Sequence, residues 1–118
     1  MKYLCLIYHA QSMLDAISPS ELSKMQEGIR DFLEELQEKG QLVDVNRLKP
    51  VRTATTVRMR EGKLSTTDGP FAETKEQLLG YLLIEAGDLN EAIRIIARFP
   101  STRFGSVEIR PIEDSLYV

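Results

Sequence analysis

Tyr3-Leu4-Cys5-Leu6-Ile7-Tyr8 is an unbroken apolar run that gives way to His9-Ala10-Gln11-Ser12. Its length and composition predict a buried central strand. Residues 10–17 have no period and are expected to connect. Ser18 then has the character of an N-cap, with Pro19 at N1 and Glu21 at N3, the spacing of a capping box. Leu22, Met25, Ile29, Phe32, Leu33 and Leu36 recur at helical steps, which predicts an amphipathic helix to about Lys39, closed by Gly40. Residues 41–48 alternate as a strand with one solvated face, and Lys49-Pro50 ends it.

Residues 53–60 and 63–67 are β-prone and are joined by Glu61-Gly62, a two-residue link with Gly second that predicts a hairpin. Asp68-Gly69-Pro70 is a turn signal: Asp bonds its own backbone, Gly accepts positive φ, and Pro fixes its own. Residues 78–85 form another apolar strand, in which Gly80 points to a close backbone approach or a bulge. Asp88 is the expected N-cap of a second amphipathic helix, with Leu89, Ala92, Ile93, Ile96, Ala97 and Phe99 on its apolar side and Pro100 as its stop. Ser106-Val107-Glu108-Ile109-Arg110 is the last strand, and Pro111 terminates it.

The order is β-α-β-(ββ)-β-α-β. Without the 55–67 hairpin it is the ferredoxin-like α+β pattern, an antiparallel sheet with both helices on one face. Apolar residues occupy both parities of the central strands, so the second sheet face also needs cover. The expectation is a homodimer packed through its sheet faces.

With 118 residues, 42% hydrophobic and 28% charged, the chain has the composition of one soluble domain with its own core. A net charge of -3 and a pI near 5.2 supply no footprint for nucleic acid and no polybasic membrane surface. The opening apolar run is too short for a signal segment or a membrane span. The single Cys5 lies within it and behaves as a small hydrophobe. A reducing, cytoplasmic setting fits these features.

Candidate chemistry is sparse. His9 stands where the first strand ends, a position open either to proton transfer or ligand contact, or to an ordinary satisfied histidine. One His without a second His or Cys predicts no metal site. Asp68 is a candidate general acid or base if it faces a pocket, and otherwise its carboxylate holds the turn. Glu73 and Lys75, which alternate with Gln77, line a polar cleft or a solvated rim. Arg58, with Arg60 and Arg110, holds an anionic substrate or pairs with carboxylates. Tyr81, with Tyr3 and Tyr8, packs on the sheet or contacts substrate. No Gly-rich phosphate loop, zinc-protease helix or nucleophile elbow occurs, so no cofactor is expected.

Three stretches together resemble the YCII-related domain family: Lys2 to Tyr8, Thr66-Thr67-Asp68-Gly69-Pro70-Phe71-Ala72-Glu73-Thr74-Lys75-Glu76, and Ser106 to Ile112. The middle one resembles the subgroup named for its Asp-Gly-Pro-Phe (DGPF) motif. The resemblance spans essentially the whole chain as a single domain, 1–118, and implies a dimeric α+β barrel. It also implies a setting near extracytoplasmic-function sigma factors, without giving a reaction. Some members are held to use a His–Asp pair for proton transfer, in one case as a dehydrochlorinase, with the His early in the first helix. The matching stretch here, Ser18-Pro19-Ser20-Glu21-Leu22-Ser23, has no His, so that dyad does not carry over, and His9 does not simply replace it.

Two functions are compatible with these residues. One is a small-molecule-binding protein, acting on a polar or anionic substrate between sheet and helices by cofactor-free acid-base chemistry of a lyase or isomerase type. The other is a non-catalytic interaction or sensor module linked to sigma-factor-dependent stress regulation.

Overall fold

The computed structural model describes residues 1–115; the last three residues of the expected 1–118 domain lie outside them. The fold is mixed α+β. Strands β1 (Lys2–Ala10), β2 (Leu42–Arg47), β5 (Glu76–Glu85) and β6 (Gly105–Pro111) form one antiparallel sheet in the order β2-β5-β1-β6, consistent with a ferredoxin-like arrangement. β3 (Thr55–Arg60) and β4 (Lys63–Asp68) form a separate two-stranded sheet. The helices among the described residues are α1 (Gln11–Asp15), α2 (Pro19–Glu38) and α3 (Leu89–Ala97), with short 3-10 turns at Val51–Thr53 and Pro100–Arg103. None is long and apolar enough to cross a membrane.

The caps follow from side chains that satisfy otherwise orphaned helix N–H groups. The Glu21 backbone N–H donates to Ser18 Oγ at 3.2 Å, and the Ser18 hydroxyl donates to the Glu21 carboxylate at 3.0 Å. At α3, the Glu91 N–H donates to Asp88 Oδ1 at 2.8 Å. Gly40, at φ +70, takes the left-handed position that closes α2. The hairpin turn has φ 51 at Glu61 and 74 at Gly62, the paired positive values of a type I′ turn.

Strand parity sorts β1. Tyr3, Cys5, Ile7 and His9 face the helices, while Leu4, Leu6 and Tyr8 face away. Across the sheet Tyr3 pairs with Ile84 and Cys5 with Leu82, and these pack under Phe32 and Leu36 of α2 and Ala92, Ile95 and Ile96 of α3. Phe32 and Phe99 stack at 5.3 Å between centroids, a tilted pair that joins α2 to the end of α3. Above them the Glu35 carboxylate receives Lys39 at 2.8 Å and Arg98 at 2.7 Å. Those two cations, Lys39 first, lower its pKa to about 2. In the core, burial pushes the Cys5 thiol up to about 11, as expected of a structural rather than a reactive cysteine.

Several expected details differ. Residues 11–15 are helical, a single turn with no buried residue and so no periodicity to announce it. β1 continues through His9 and Ala10, which places His9 inside the sheet rather than beyond its end. β5 begins at Glu76, so Glu73 and Lys75 precede the strand and do not share a face with Gln77. On α3 the buried stripe is Ala92, Ile95, Ile96, with Phe99 beyond it, while Leu89 and Ile93 are exposed. Steps of three and four from Ala92 fit one face against the sheet, and Leu89 and Ile93 fall beside it.

The body is thin. Its extents are 48 × 41 × 19 Å, and 19 Å is one sheet plus one layer of helices. The radius of gyration, 16.4 Å, exceeds the roughly 13.5 Å of a compact chain this long. The excess belongs to an open sheet face and to the β3-β4 arm, in which every strand residue but Thr56 is exposed.

Candidate functional site

The helix side of the sheet opens into a cleft of about 250 Å³ between α2 and strands β1, β5 and β2. Its walls are mostly apolar, with Ile7, Leu22, Met25, Leu33, Leu79 and Phe99 among them. Polar side chains enter from four elements: His9 of β1, Gln26 of α2, Arg47 of β2 and Ser101 of the second 3-10 turn. Two backbone features shape it. The pairing of β1 with β5 slips between Ile7 and Tyr8, leaving Leu79 as a bulge. Gly80 lies so close to β2 that a Cβ there would stand 2.5 Å from the Asn46 carbonyl oxygen. The expected close approach is present at Gly80, while the bulge falls on its neighbour Leu79.

His9 is 3% exposed. Its Nε2 lies 3.2 Å from the Ser101 carbonyl, which can only accept, so Nε2 carries the proton and donates. Nδ1 is then the lone-pair nitrogen. It is buried and has no hydrogen-bond partner among the described residues. Gly105, paired with His9 on β6, makes room for this: a Cβ there would collide with the Tyr8 carbonyl oxygen and with Cδ2 of the His9 ring. Burial lowers the His9 pKa below its usual 6.5. The Ser101 carbonyl and the Glu76 charge pull upward, and burial prevails.

A pH dependence follows. With the folded pKa below the unfolded one, the unfolded chain binds the extra proton between the two values. The stabilisation is therefore complete above the unfolded pKa of about 6.5 and is lost as pH falls through the folded value. Because this is the only His of the chain, its imidazole resonances titrate alone. An NMR titration should show a midpoint below 6.5, and the midpoint of thermal unfolding should fall with pH in that window. His9→Gln should remove that slope.

The other candidates lie elsewhere. Asp68 ends β4 on the arm and is exposed, and its carboxylate makes no hydrogen bond among the described residues. The turn it begins is held by other groups: the Gly69 N–H donates to the Ala54 carbonyl at 2.7 Å and the Thr56 hydroxyl to the Gly69 carbonyl at 2.7 Å. Arg58, also on the arm, donates to the Phe71 carbonyl at 3.3 Å. Glu73 is exposed beyond that turn. Lys75 borders a broad open groove on the far sheet face with Tyr8, Glu76, Arg103 and Ser106. Tyr81 is on that far face too, donating to Asp44 Oδ2 at 2.7 Å and accepting from Asn46 at 2.9 Å. His9 alone of the candidates lines the cleft on the helix side.

Sequence reasoning missed Arg47, Gln26, Ser101 and Gly105. Parity offered one signal: His9 is in step with Tyr3 and Cys5, two core positions, which places it inside.

The YCII-related domain model matches residues 1–115. The chain belongs to the YCII-related domain family. A protein of Rhizobium meliloti (strain 1021) described as uncharacterized is 39% identical over 116 residues, covering 95% of this chain and 92% of its own length. This YCII-related chain is thus similar to that relative over most of both lengths, and neither match names a reaction.

Proposed function

We propose that this YCII-related domain binds a small polar or anionic molecule in the cleft between α2 and the sheet, with His9 Nδ1 as proton acceptor in cofactor-free acid-base chemistry. The observation that carries this reading is the Nδ1, unpaired among the described residues, of a buried histidine lining a half-open cleft. A buried polar atom without a partner costs stability, so its persistence favours a use. The chemistry is that of a neutral imidazole oriented through Nε2–H by a fixed carbonyl, leaving a basic lone pair free at neutral pH. Asp68, Glu73 and Arg58, on the arm and its turn, stand outside this cleft and take no part in it.

The test is a fragment screen read on the His9 imidazole and the Met25 methyl. Ligands of the cleft should shift both, and Leu33→Trp, which fills the space, should abolish the shifts. Fragments that move only far-face residues would sink the reading. Binding without turnover of any bound compound would make the site a sensor.

A second proposal concerns the far face. Leu4, Leu6, Tyr8 and Leu83 form a half-buried apolar row over which no helix among the described residues packs, and Val57, Met59 and Leu64 line one side of the exposed arm. An isolated two-stranded ribbon is marginal in water. A second copy packed sheet to sheet would cover both and close an α+β barrel. Sedimentation equilibrium should give twice 13.4 kDa, and Leu6→Arg should return the mass to one chain. A wild-type protein monomeric at micromolar concentration would exclude this.

A further inference from the structure

We infer that the cleft's ligand is an amphipathic hydroxy-monocarboxylate, its carboxylate held by Arg47 and its hydroxyl donating to His9 Nδ1. This rests on the reading of the cleft above and names the ligand class.

Size and lining set the body of the ligand. Ten of the sixteen lining residues are aliphatic, aromatic or thioether side chains, and none is Asp or Glu. A cavity of about 150 Å³ holds benzene, so the 250 Å³ here holds a body of about ten non-hydrogen atoms. Such walls reward an apolar body and leave few places for polar groups.

Charge sets the first of these. Arg47 brings the only always-ionised side chain to the lining. It is exposed, at the rim, and its guanidinium makes no ion pair or side-chain hydrogen bond among the described residues. The chain carries a net charge of -3, so long-range attraction does not bring anions here. Recognition has to be local, and a guanidinium fork matches a carboxylate bidentately. No carboxylate in the wall competes for it.

The interior sets the second. His9 is deeply buried, and with Nε2–H committed to Ser101, Nδ1 can only accept. A second carboxylate beside that lone pair would be repelled and poorly solvated, which excludes dicarboxylates. A hydroxyl donates and would satisfy the orphaned nitrogen. Because Nδ1 has no accessible surface of its own, that bond forms only as the His9 ring tilts toward the cleft on binding.

The experiment uses the wild-type protein with para-hydroxyphenylacetate, its amide and phenylacetate, read by His9 and Met25 shifts with calorimetry. The hydroxy acid should bind, and the amide at least tenfold more weakly. Phenylacetate should also be weaker and should leave the His9 resonance nearly unmoved. Arg47→Gln, on the exposed sheet edge, should remove the preference for acid over amide, with an unchanged thermal midpoint. An amide that binds the cleft as tightly as the acid overturns the carboxylate assignment while leaving the cleft reading intact. Equal binding of phenylacetate overturns the hydroxyl contact. If the three probes fail while other fragments move these signals, the ligand class is wrong; if no small molecule moves them, the cleft reading itself fails.

Discussion

Gly105→Ala should destabilise the fold by about 3 kcal/mol, the upper part of the range for overpacking a filled interior, or more. The added methyl meets the Tyr8 carbonyl oxygen and the His9 ring. A flexible side chain could swing aside. The Tyr8 backbone cannot, because β1 is clamped on its other edge by β5. Relief of the Tyr8 contact requires β6 to withdraw, and relief of the remaining contact requires the His9 ring to turn, which breaks the bond from Nε2–H to Ser101. The variant should thus show a lower urea midpoint together with a displaced His9 imidazole resonance. Gly62→Ala is the comparison. It has open space around it and pays only for its positive φ, about 1 kcal/mol. A Gly105→Ala protein as stable as the Gly62 variant, with His9 unmoved, would refute the crowding.

Leu36→Ala should cost about 2–5 kcal/mol, the range for emptying a buried leucine site. Leu36 is 0% exposed and lies against the sheet in the same cluster as Phe32 and Leu82. The matching control is Leu64→Ala, on the arm at 65% exposure, where truncation changes a single chain by no more than about 0.5 kcal/mol. Denaturation at several protein concentrations separates the two. The Leu36 loss should be independent of concentration. A Leu64 loss that grows at high concentration would report burial of the arm against a second copy.

The elements were readable where a local device specifies them. Ser18, Pro19 and Glu21 start α2, Gly40 ends it, Asp88 starts α3, and Glu61-Gly62 turns the hairpin. Each acts on backbone groups within a few residues, so the information lies in consecutive positions. α1 has no such device and was unreadable. The stripe of α3 was only half readable: Leu89 and Ile93 fit a helical period as well as Ile95 does, and which of them is buried depends on how the helix lies across the sheet.

The site was far less legible. Asp68, Glu73, Lys75 and Arg58 are conspicuous in the sequence as a dense polar motif, yet those residues sit on the arm, on its turn and beside the far-face groove. The helix-side cleft draws on residues spread from Ile7 to Ser101, and no spacing rule connects them.

By itself, then, the sequence determined the strands, two of the helices, their caps, the hairpin and the α+β order, because hydrophobic period and turn chemistry act over short distances. The tertiary structure alone decided that His9 points inward with one nitrogen committed and the other unpaired, and that Arg47 shares its cleft. Those outcomes depend on the sheet order β2-β5-β1-β6 and on the slip at Leu79. They are pairings between segments tens of residues apart, where the free energy lies in contacts that no single stretch contains.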